Sequence, residues 1–224
     1  MATFLSTVNL LQVLLREAQT ASVSTNTYSK LLGELVNRAK RQVEDGYDWS
    51  CLKSDAVTAT TVAGTATYSL SGTTQRSRFY TKHRYIYNTT TQNRIYPMRA
   101  DVYDDIVKTS TVQNNEPSHY FVRGAGSSGE LKVVLYPTPA AVYTISVPLC
   151  VPQADFLTDG TNDATAITVP SEPILQLAYD YALKERGDDG GADYRYAVSE
   201  YNRAMGLAIL ADSGVYEDMI FQVV

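Results

Sequence analysis

The sequence predicts an α+β fold in which a discontinuous four-helix domain is interrupted by an antiparallel, β-rich insertion. Near both ends of the 224-residue chain, apolar residues recur every three or four positions, which is the spacing of amphipathic helices. Between these regions the period changes to two, and Gly- and Pro-rich turns separate short runs of Thr, Val and Tyr. We therefore assign residues 1–50 and 171–212 to a helical core domain, 51–170 to the insertion and 213–224 to a C-terminal docking tail.

Two helices are predicted at the N-terminal end. The first covers 5–19, with an apolar stripe that Leu10 and Leu14 widen. A polar break follows, and the second helix covers 27–44, with Gly46 as its C-terminal stop.

The insertion is interpreted as a series of short strands and turns. Strands are predicted at 57–61 and 65–70, paired around an Ala63-Gly64 turn, at 84–87 and 94–96, paired as a second hairpin, and at 119–123, 130–136, 142–151 and 166–169. The spacing also predicts a short helix over 101–108, between the second hairpin and the later strands.

Two further helices are predicted at the C-terminal end. Ser171 caps the third helix, Pro173 stands in its first turn, where proline is tolerated, and Gly187 ends it. The fourth helix covers 193–212. We expect the four helices to share one core, which includes Leu11, Leu35, Leu177 and Met205.

Composition and charge exclude several classes of function. The formal net charge is −5 and no long basic run occurs, so binding driven by nucleic-acid phosphates has little support. No signal peptide and no run of about 18 apolar residues is present, so we expect no membrane span. Cys51 and Cys150 are isolated, and we expect both to be buried, reduced thiols.

Two segments resemble binding motifs but are better explained as turns. Residues 124–129 match G-x-G-x-x-G, yet the β-branched run after them predicts a strand rather than the helix that holds a pyrophosphate. Asp155, Asp159, Asn162 and Asp163 lack the spacing of an EF-hand and its closing glutamate. We therefore predict neither a dinucleotide site nor a calcium loop.

No catalytic constellation is apparent. His83 and His119 are the only histidines, and neither cysteine lies at a short zinc-ligand spacing from them. A Cys–His nucleophile pair brought together by the fold stays open as an alternative. We predict no catalytic residue, no cofactor, no metal and no enzyme activity.

A series of motifs in the strand region and at its borders resembles the phage adaptor proteins. The segments are 116–122 (EPSHYFV), 129–139 (GELKVVLYPTP) and 142–145 (VYTI), and they are similar to the family signature x-P-x-x-Y-x-V, G-x-L-x-L-x-P-x-P and Y-x-L. The resemblance also covers the segment before the strand region, 45–49 (DGYDW), and the helix that follows the strand region, 170–178 (PSEPILQLA). In total it spans about 5–210. The consecutive Val134 and Leu135 depart from the strict alternation of the signature.

This resemblance implies a head-to-tail adaptor, similar to the upper tail-tube adaptor of short-tailed phages. Such subunits form a ring, commonly a dodecamer, that docks under the portal protein and meets the tail nozzle or next tail protein. Double-stranded DNA passes through the ring without specific binding, which agrees with an acidic chain. The implied location is the neck or tail of the virion, after assembly in the host cytoplasm.

Two alternatives remain beside the adaptor. The chain has 17 Tyr against five Phe, and Tyr is common at interfaces, so a carbohydrate- or receptor-binding tail module would also use this composition. Another neck or tail-completion protein is the second alternative.

For docking on the portal or a neighbouring subunit we single out the apolar residues after the last predicted helix: Val215, Tyr216, Met219, Ile220 and Phe221.

Overall fold

A computed structural model of the chain describes residues 2–54, 57–79, 85–109, 114–127, 129–188 and 191–216, with 215 and 216 described by their backbone alone. The fold is mixed α+β, as predicted. The described residues form five α-helices: α1 (Phe4–Leu14), α2 (Thr27–Gly46), α3 (Ala100–Thr109), α4 (Ser171–Glu185) and α5 (Ala192–Tyr216). The chain divides into two compact units, Met1–Cys51 with Gln153–Val224, and Leu52–Pro152. The first contains α1, α2, α4 and α5, and the second contains α3 and all twelve strands of the described residues.

The two N-terminal helices begin at reciprocal caps. Before α1, the Ser6 N–H donates to Thr3 Oγ1 at 3.2 Å, and the Thr3 N–H donates to Ser6 Oγ at 2.8 Å. Before α2, the Ser29 N–H donates to Asn26 Oδ1 at 2.7 Å, and the Asn26 N–H donates to Ser29 Oγ at 3.2 Å. Each exchange satisfies backbone donors that have no partner within the helix, so the sequence itself sets both starting points.

The first helix ends five residues earlier than its periodicity predicts. Arg16 adopts a left-handed backbone with φ 60°, which stops α1. Beyond it the chain turns back, because the Asn9 side chain donates to Thr20 O and accepts the Thr20 N–H, both at 3.1 Å. A long-range side-chain contact therefore competes with continuation of the helix.

Helix α4 packs against α1, α2 and α5 and forms the middle of the helical unit. The buried side chains of these helices include Phe4, Val8, Leu11, Leu32, Val36, Ile174, Leu177, Ala178, Ala197 and Ala204. Of the predicted core residues, Leu11 and Leu177 are buried, whereas Leu35 and Met205 are only partly covered. Val36 is fully buried instead of Leu35, because the buried face of α2 is centred one position later.

Residues 153–170 belong to the helical unit, which moves the boundary predicted at 170 to 152. Buried Lys40 of α2 donates to Gln153 O at 2.7 Å and to Ala154 O at 3.0 Å. Asn37 donates to Phe156 O and accepts the Phe156 N–H, at 2.8 and 2.9 Å. These polar contacts fix a segment without regular structure on α2, and periodicity carries no signal for them.

The strand predicted at 166–169 is absent. In its place Ala166 forms an isolated antiparallel bridge with Thr3, and the Ile167 N–H donates to Ala2 O at 3.0 Å. The segment ties the N-terminus to the helical unit without extending a sheet.

The second unit contains short strands. They are β1 (Lys53–Ser54), β2 (Thr58–Thr60), β3 (Thr67–Ser69), β4 (Arg78–Phe79), β5 (Ile86–Asn88), β6 (Asn93–Pro97), β7 (Asn114–Asn115), β8 (His119–Ala125), β9 (Leu131–Tyr136), β10 (Thr138–Pro139), β11 (Thr144–Ser146) and β12 (Leu149–Cys150). Seven of them form one sheet in the order β2-β11-β5-β6-β8-β9-β3, and smaller sheets have the orders β1-β12-β4 and β10-β7. One apolar core serves this unit, with Leu70, Ile86, Ile95, Val133, Leu135, Ile145 and Leu149 fully buried.

The second predicted hairpin is confirmed and the first is wrong. Strands β5 and β6 pair antiparallel with Ile86 opposite Ile95. By contrast, β2 pairs with β11 and β3 pairs with β9, so the two strands are opposite edges of the large sheet. The chain order alone favours pairing of neighbours, and only the complete sheet assigns these two strands to other partners.

The insertion was predicted to be antiparallel, but it also contains two parallel strand pairs among the described residues. Strand β6 pairs with β8 in parallel, with Tyr96 opposite His119, and β10 pairs with β7 in parallel. A parallel pair needs a crossover connection, and the predicted short helix, α3, lies within the connection from β6 to β8. It packs on β8 through Tyr103 and Phe121, whose ring centroids are 4.8 Å apart.

Candidate interaction surfaces

An exposed apolar face lies on α1. Leu10, Val13 and Leu14 occupy positions i, i+3 and i+4, and Val13 is 52% exposed. Residues 2–15 contain no Asp, Glu, Lys or Arg. Leu10 and Leu14 were expected to widen the buried stripe of this helix, but both are exposed. We call these three residues the α1 face.

A second exposed apolar face lies on the C-terminal half of α5. Leu207 and Leu210 are exposed, Leu210 by 68%, and Gly206, Ala211 and Gly214 are exposed beside them. We call these five residues the α5 face.

The C-terminal half of α5 is apolar on nearly every side. Between 204 and 216 the single charged residue is Asp212, which accepts hydrogen bonds from the Ser50 N–H at 3.1 Å and the Ser50 hydroxyl at 2.6 Å. A helix that is apolar all round is normally buried. The exposed side of this half of α5 is therefore unusual for a chain that functions alone.

A third apolar surface lies on two loops of the second unit. Val62 and Ala63 follow β2, Ala140, Ala141 and Val142 follow β10, and all five are exposed. Residues 57–75 and 133–153, which include these loops, contain no charged side chain. We call this surface the loop patch.

Hydrogen bonds hold the two loops of the patch together. The Thr61 N–H donates to Tyr143 O at 2.8 Å, the Tyr143 N–H donates to Thr61 Oγ1 at 2.7 Å, and the Gly64 N–H donates to Pro139 O at 2.9 Å. The buried Tyr68 hydroxyl accepts the Val62 N–H at 3.1 Å. The patch is thus presented on an ordered framework rather than on free loops.

The C-terminal residues proposed for docking fall partly outside the described chain. Val215 and Tyr216 belong to α5, which continues four residues past its predicted end at 212, so they are not part of a separate tail. Met219, Ile220 and Phe221 lie outside the described residues. A docking tail that is separate from α5 therefore begins no earlier than residue 217.

The two motif-like segments are turns in the structure. The glycine-rich segment joins β8 to β9, and the Gly126 N–H donates to Glu130 O at 2.7 Å across the turn. In the acidic segment, Asp159 Oδ1 accepts the Thr161 N–H at 2.8 Å, and Asp163 accepts the Val23 N–H at 3.3 Å. The Asp159 contact is local to the turn, and the Asp163 contact ties the segment to Val23, 140 positions away.

No metal centre is assembled in the part of the chain that the structure describes. No group of three or more His, Cys, Asp or Glu side chains converges there. His119 is exposed at the start of β8 with its Nδ1 2.9 Å from Ser118 Oγ, and His83 lies outside the described residues.

Neither cysteine forms a disulfide in the described structure, and Cys150 is buried whereas Cys51, which we expected to be buried as well, is not. Cys51 is exposed, in a shallow depression that Asp212 also lines. Partial burial of its thiol and the Asp212 carboxylate raise the pKa of Cys51 above its ordinary value. The thiolate is therefore scarcer at neutral pH than in a free cysteine.

We expect alkylation to distinguish the two thiols. In the native protein, iodoacetamide should label Cys51 slowly near neutral pH and faster as the pH rises, whereas Cys150 should react only after denaturation. Asp212→Asn should speed the labelling of Cys51 because it removes a charge that raises the pKa, and Asp193→Asn is the control. Intact mass spectrometry counts the labels, and a denatured, unreduced chain that takes up none would reveal a disulfide.

An α+β chain that presents several uncharged, ordered apolar surfaces is typical of a structural subunit that contacts other proteins. The profile of the SU10 adaptor protein family matches residues 3–218, and the chain therefore belongs to this family. A search of curated proteins found no match.

Family membership makes the chain a phage structural adaptor and a component of the virion. Such a protein associates with other head–tail proteins, and the family is not an enzyme class. No helix among the described residues is long and apolar enough to cross a membrane.

The α1 face, the α5 face and the loop patch were not predicted from the sequence. A signal for them exists in the sequence, because uncharged stretches at 2–15, 57–75, 133–153 and 204–211 are long for a chain with 43 charged residues in 224. Periodicity indicates that a helix has an apolar face but does not indicate whether the chain itself covers it.

Proposed function

We propose that this chain is a head-to-tail adaptor subunit that forms a dodecameric ring below the portal protein and links the capsid to the tail nozzle or next tail protein. The family match over residues 3–218 carries this proposal. The α1 face, the α5 face and the loop patch support it, because a ring subunit needs several separate surfaces for its neighbours.

The charge of the chain suits a DNA conduit. Each subunit contributes a formal charge of −5, and a ring of such subunits repels the phosphates of double-stranded DNA. DNA then passes through the channel without specific binding, and a basic groove would hinder that passage. Assembly takes place in the host cytoplasm, before the ring becomes part of the neck.

The segment after α5 is the portal-docking element of this proposal. Residues 217–224 read EDMIFQVV, with Met219, Ile220 and Phe221 as apolar anchors after two acidic residues. A segment of eight residues cannot build a core of its own, so its apolar side chains gain most by burial against another surface. Val215 and Tyr216 position this segment as the last turn of α5.

Removal of residues 217–224 tests the portal contact. We expect the truncated protein to melt within a few degrees of the full chain, because the described core stays intact, and to lose attachment to purified portal rings. Electron microscopy of portal rings mixed with each protein measures attachment.

Point variants separate the role of the anchors from that of chain length. Ile220→Ser with Phe221→Ser should behave like the truncation, and Gln222→Ala should attach normally. A truncated protein that still decorates portal rings contradicts docking by this segment, and one that fails to fold shows that the segment belongs to the core of its own subunit.

A further inference from the structure

The α1 face and the α5 face belong to the same compact unit and lie on different helices. Helix α4 packs against both helices, so each face is the outward side of a helix whose inner side contacts α4. Both faces are free of charge. The helical layer therefore leaves apolar side chains uncovered at two distinct places.

The two faces differ in shape. The α1 face consists of three large side chains, Leu10, Val13 and Leu14. On α5, Leu210 lies between Gly206 and Gly214 at i−4 and i+4, so a large side chain is flanked by two positions without one.

No described residue packs closely against the two glycines of the α5 face. Neither Gly206 nor Gly214 has a positive φ, and a Cβ atom added to either would meet no atom of the described residues within 4 Å. Glycine inside a helix weakens it relative to alanine. The close approach of another surface to the backbone is a physical reason for glycine at such positions.

We propose that the α5 face of one copy packs against the α1 face of the next copy. This contact rests on the proposed ring and specifies the surfaces that build it. The large side chains of the α1 face fill the two notches, which are the spaces over Gly206 and Gly214 on either side of Leu210. Neither face carries a charge, so the contact buries none. Pairing of each face with itself would set bulky α1 side chains against each other and leave the notches of α5 unfilled.

A contact between two different faces repeats from copy to copy. Each subunit then offers one free α1 face and one free α5 face until the assembly closes as a ring. The faces have three and five residues, far fewer than the roughly 20–30 residues a side of a stable interface. A single contact is therefore weak, and the protein should be largely monomeric when dilute and associate as its concentration rises.

Opposite charges on the two faces test the contact. Leu210→Glu and Val13→Lys each place one charge on an exposed position, so both variants should fold like the wild type by circular dichroism. Each variant alone should associate at least about tenfold more weakly, because the charge faces an apolar surface. Sedimentation equilibrium from micromolar to millimolar concentration measures this change.

An equal mixture of the two variants should regain association. The carboxylate introduced at position 210 of one chain then meets the ammonium introduced at position 13 of the other, while the remaining pair of faces is unaltered. The double variant should regain association by itself. Leu157→Glu, at a loop residue of the same unit that is 58% exposed, is the control and should behave as the wild type.

Other results overturn the proposal in distinct ways. A wild type that stays monomeric to millimolar concentration, or variants that associate normally, would show that the faces do not meet. Loss in one variant without recovery in the mixture would indicate that a face pairs with itself or with another surface. Loss in Leu157→Glu would show that the effect is not specific to the two faces. The portal-attachment experiment is independent, since removal of 217–224 leaves both faces in place.

Discussion

Replacement of Lys40 by Met is expected to lower the free energy of unfolding by about 3–5 kcal/mol. Lys40 and Glu44 are both fully buried on α2, with Nζ 3.4 Å from Glu44 Oε1. Removal of the ammonium leaves the Glu44 carboxylate in the interior without this cation. The change also removes the donor that holds the Gln153 and Ala154 carbonyls, so it loosens the segment that follows the β-rich unit.

The double variant Lys40→Met, Glu44→Leu distinguishes loss of the pair from loss of packing. It should recover part of the stability, because no anion is left in the interior without its cation and apolar side chains fill a similar volume. Recovery stays incomplete, because the Gln153 and Ala154 carbonyls still lack their donor and the Gln153 N–H loses its acceptor, Glu44 Oε1. Arg203→Met is the matched control, since Arg203 pairs with Glu200 on the surface and such pairs contribute about 1 kcal/mol or less. Urea denaturation followed by circular dichroism measures all three. A Lys40→Met protein as stable as the wild type would show that Glu44 is not held as a buried anion.

Replacement of Trp49 by Ala is expected to cost about 3–5 kcal/mol. Trp49 is fully buried where α2 gives way to the strands, and its Nε1–H donates to Val43 O at 2.8 Å. Its ring meets the edge of Tyr47 at a centroid distance of 5.0 Å. The substitution both opens a cavity and removes a buried donor.

Trp49→Phe should fall between the wild type and Trp49→Ala, because it keeps most of the ring volume and loses the donor. Val142→Ala, at a loop residue that is 64% exposed, should change stability by less than about 0.5 kcal/mol. The readout is urea denaturation by circular dichroism, because the Trp49 variants remove the single tryptophan. Equal midpoints for Trp49→Ala and the wild type would contradict the role of Trp49 as a core residue.

Uncharged apolar surfaces connect the fold to assembly. The loop patch, the α1 face and the α5 face all lack charged side chains, whereas the chain as a whole is 19% charged. Depletion of charge is the compositional mark of the centre of an interface. Separate surfaces of this kind suit a subunit that meets more than one protein.

Local sequence determined where most helices and several strands form. The caps at Thr3 and Asn26, the proline in the first turn of α4 and the alternation around Ile86 and Ile95 act over a few residues. Their energies are therefore similar in the isolated segment and in the folded chain. The resemblance to phage adaptors also lay in the sequence, because it rests on the order of short motifs.

Only the tertiary structure decided which surfaces are covered and which strands are neighbours. Leu10 and Leu14 are exposed, β2 is not a neighbour of β3, and β6 pairs with β8 in parallel. Lys40 and Asn37 fix residues 153–156 on α2. Each of these outcomes depends on contacts between groups that are distant in sequence. Lys40 and Gln153, for example, are 113 positions apart. A hydrophobic period of 2 or 3.6 residues indicates that one face of a strand or helix is apolar. Long-range packing decides which surface covers that face.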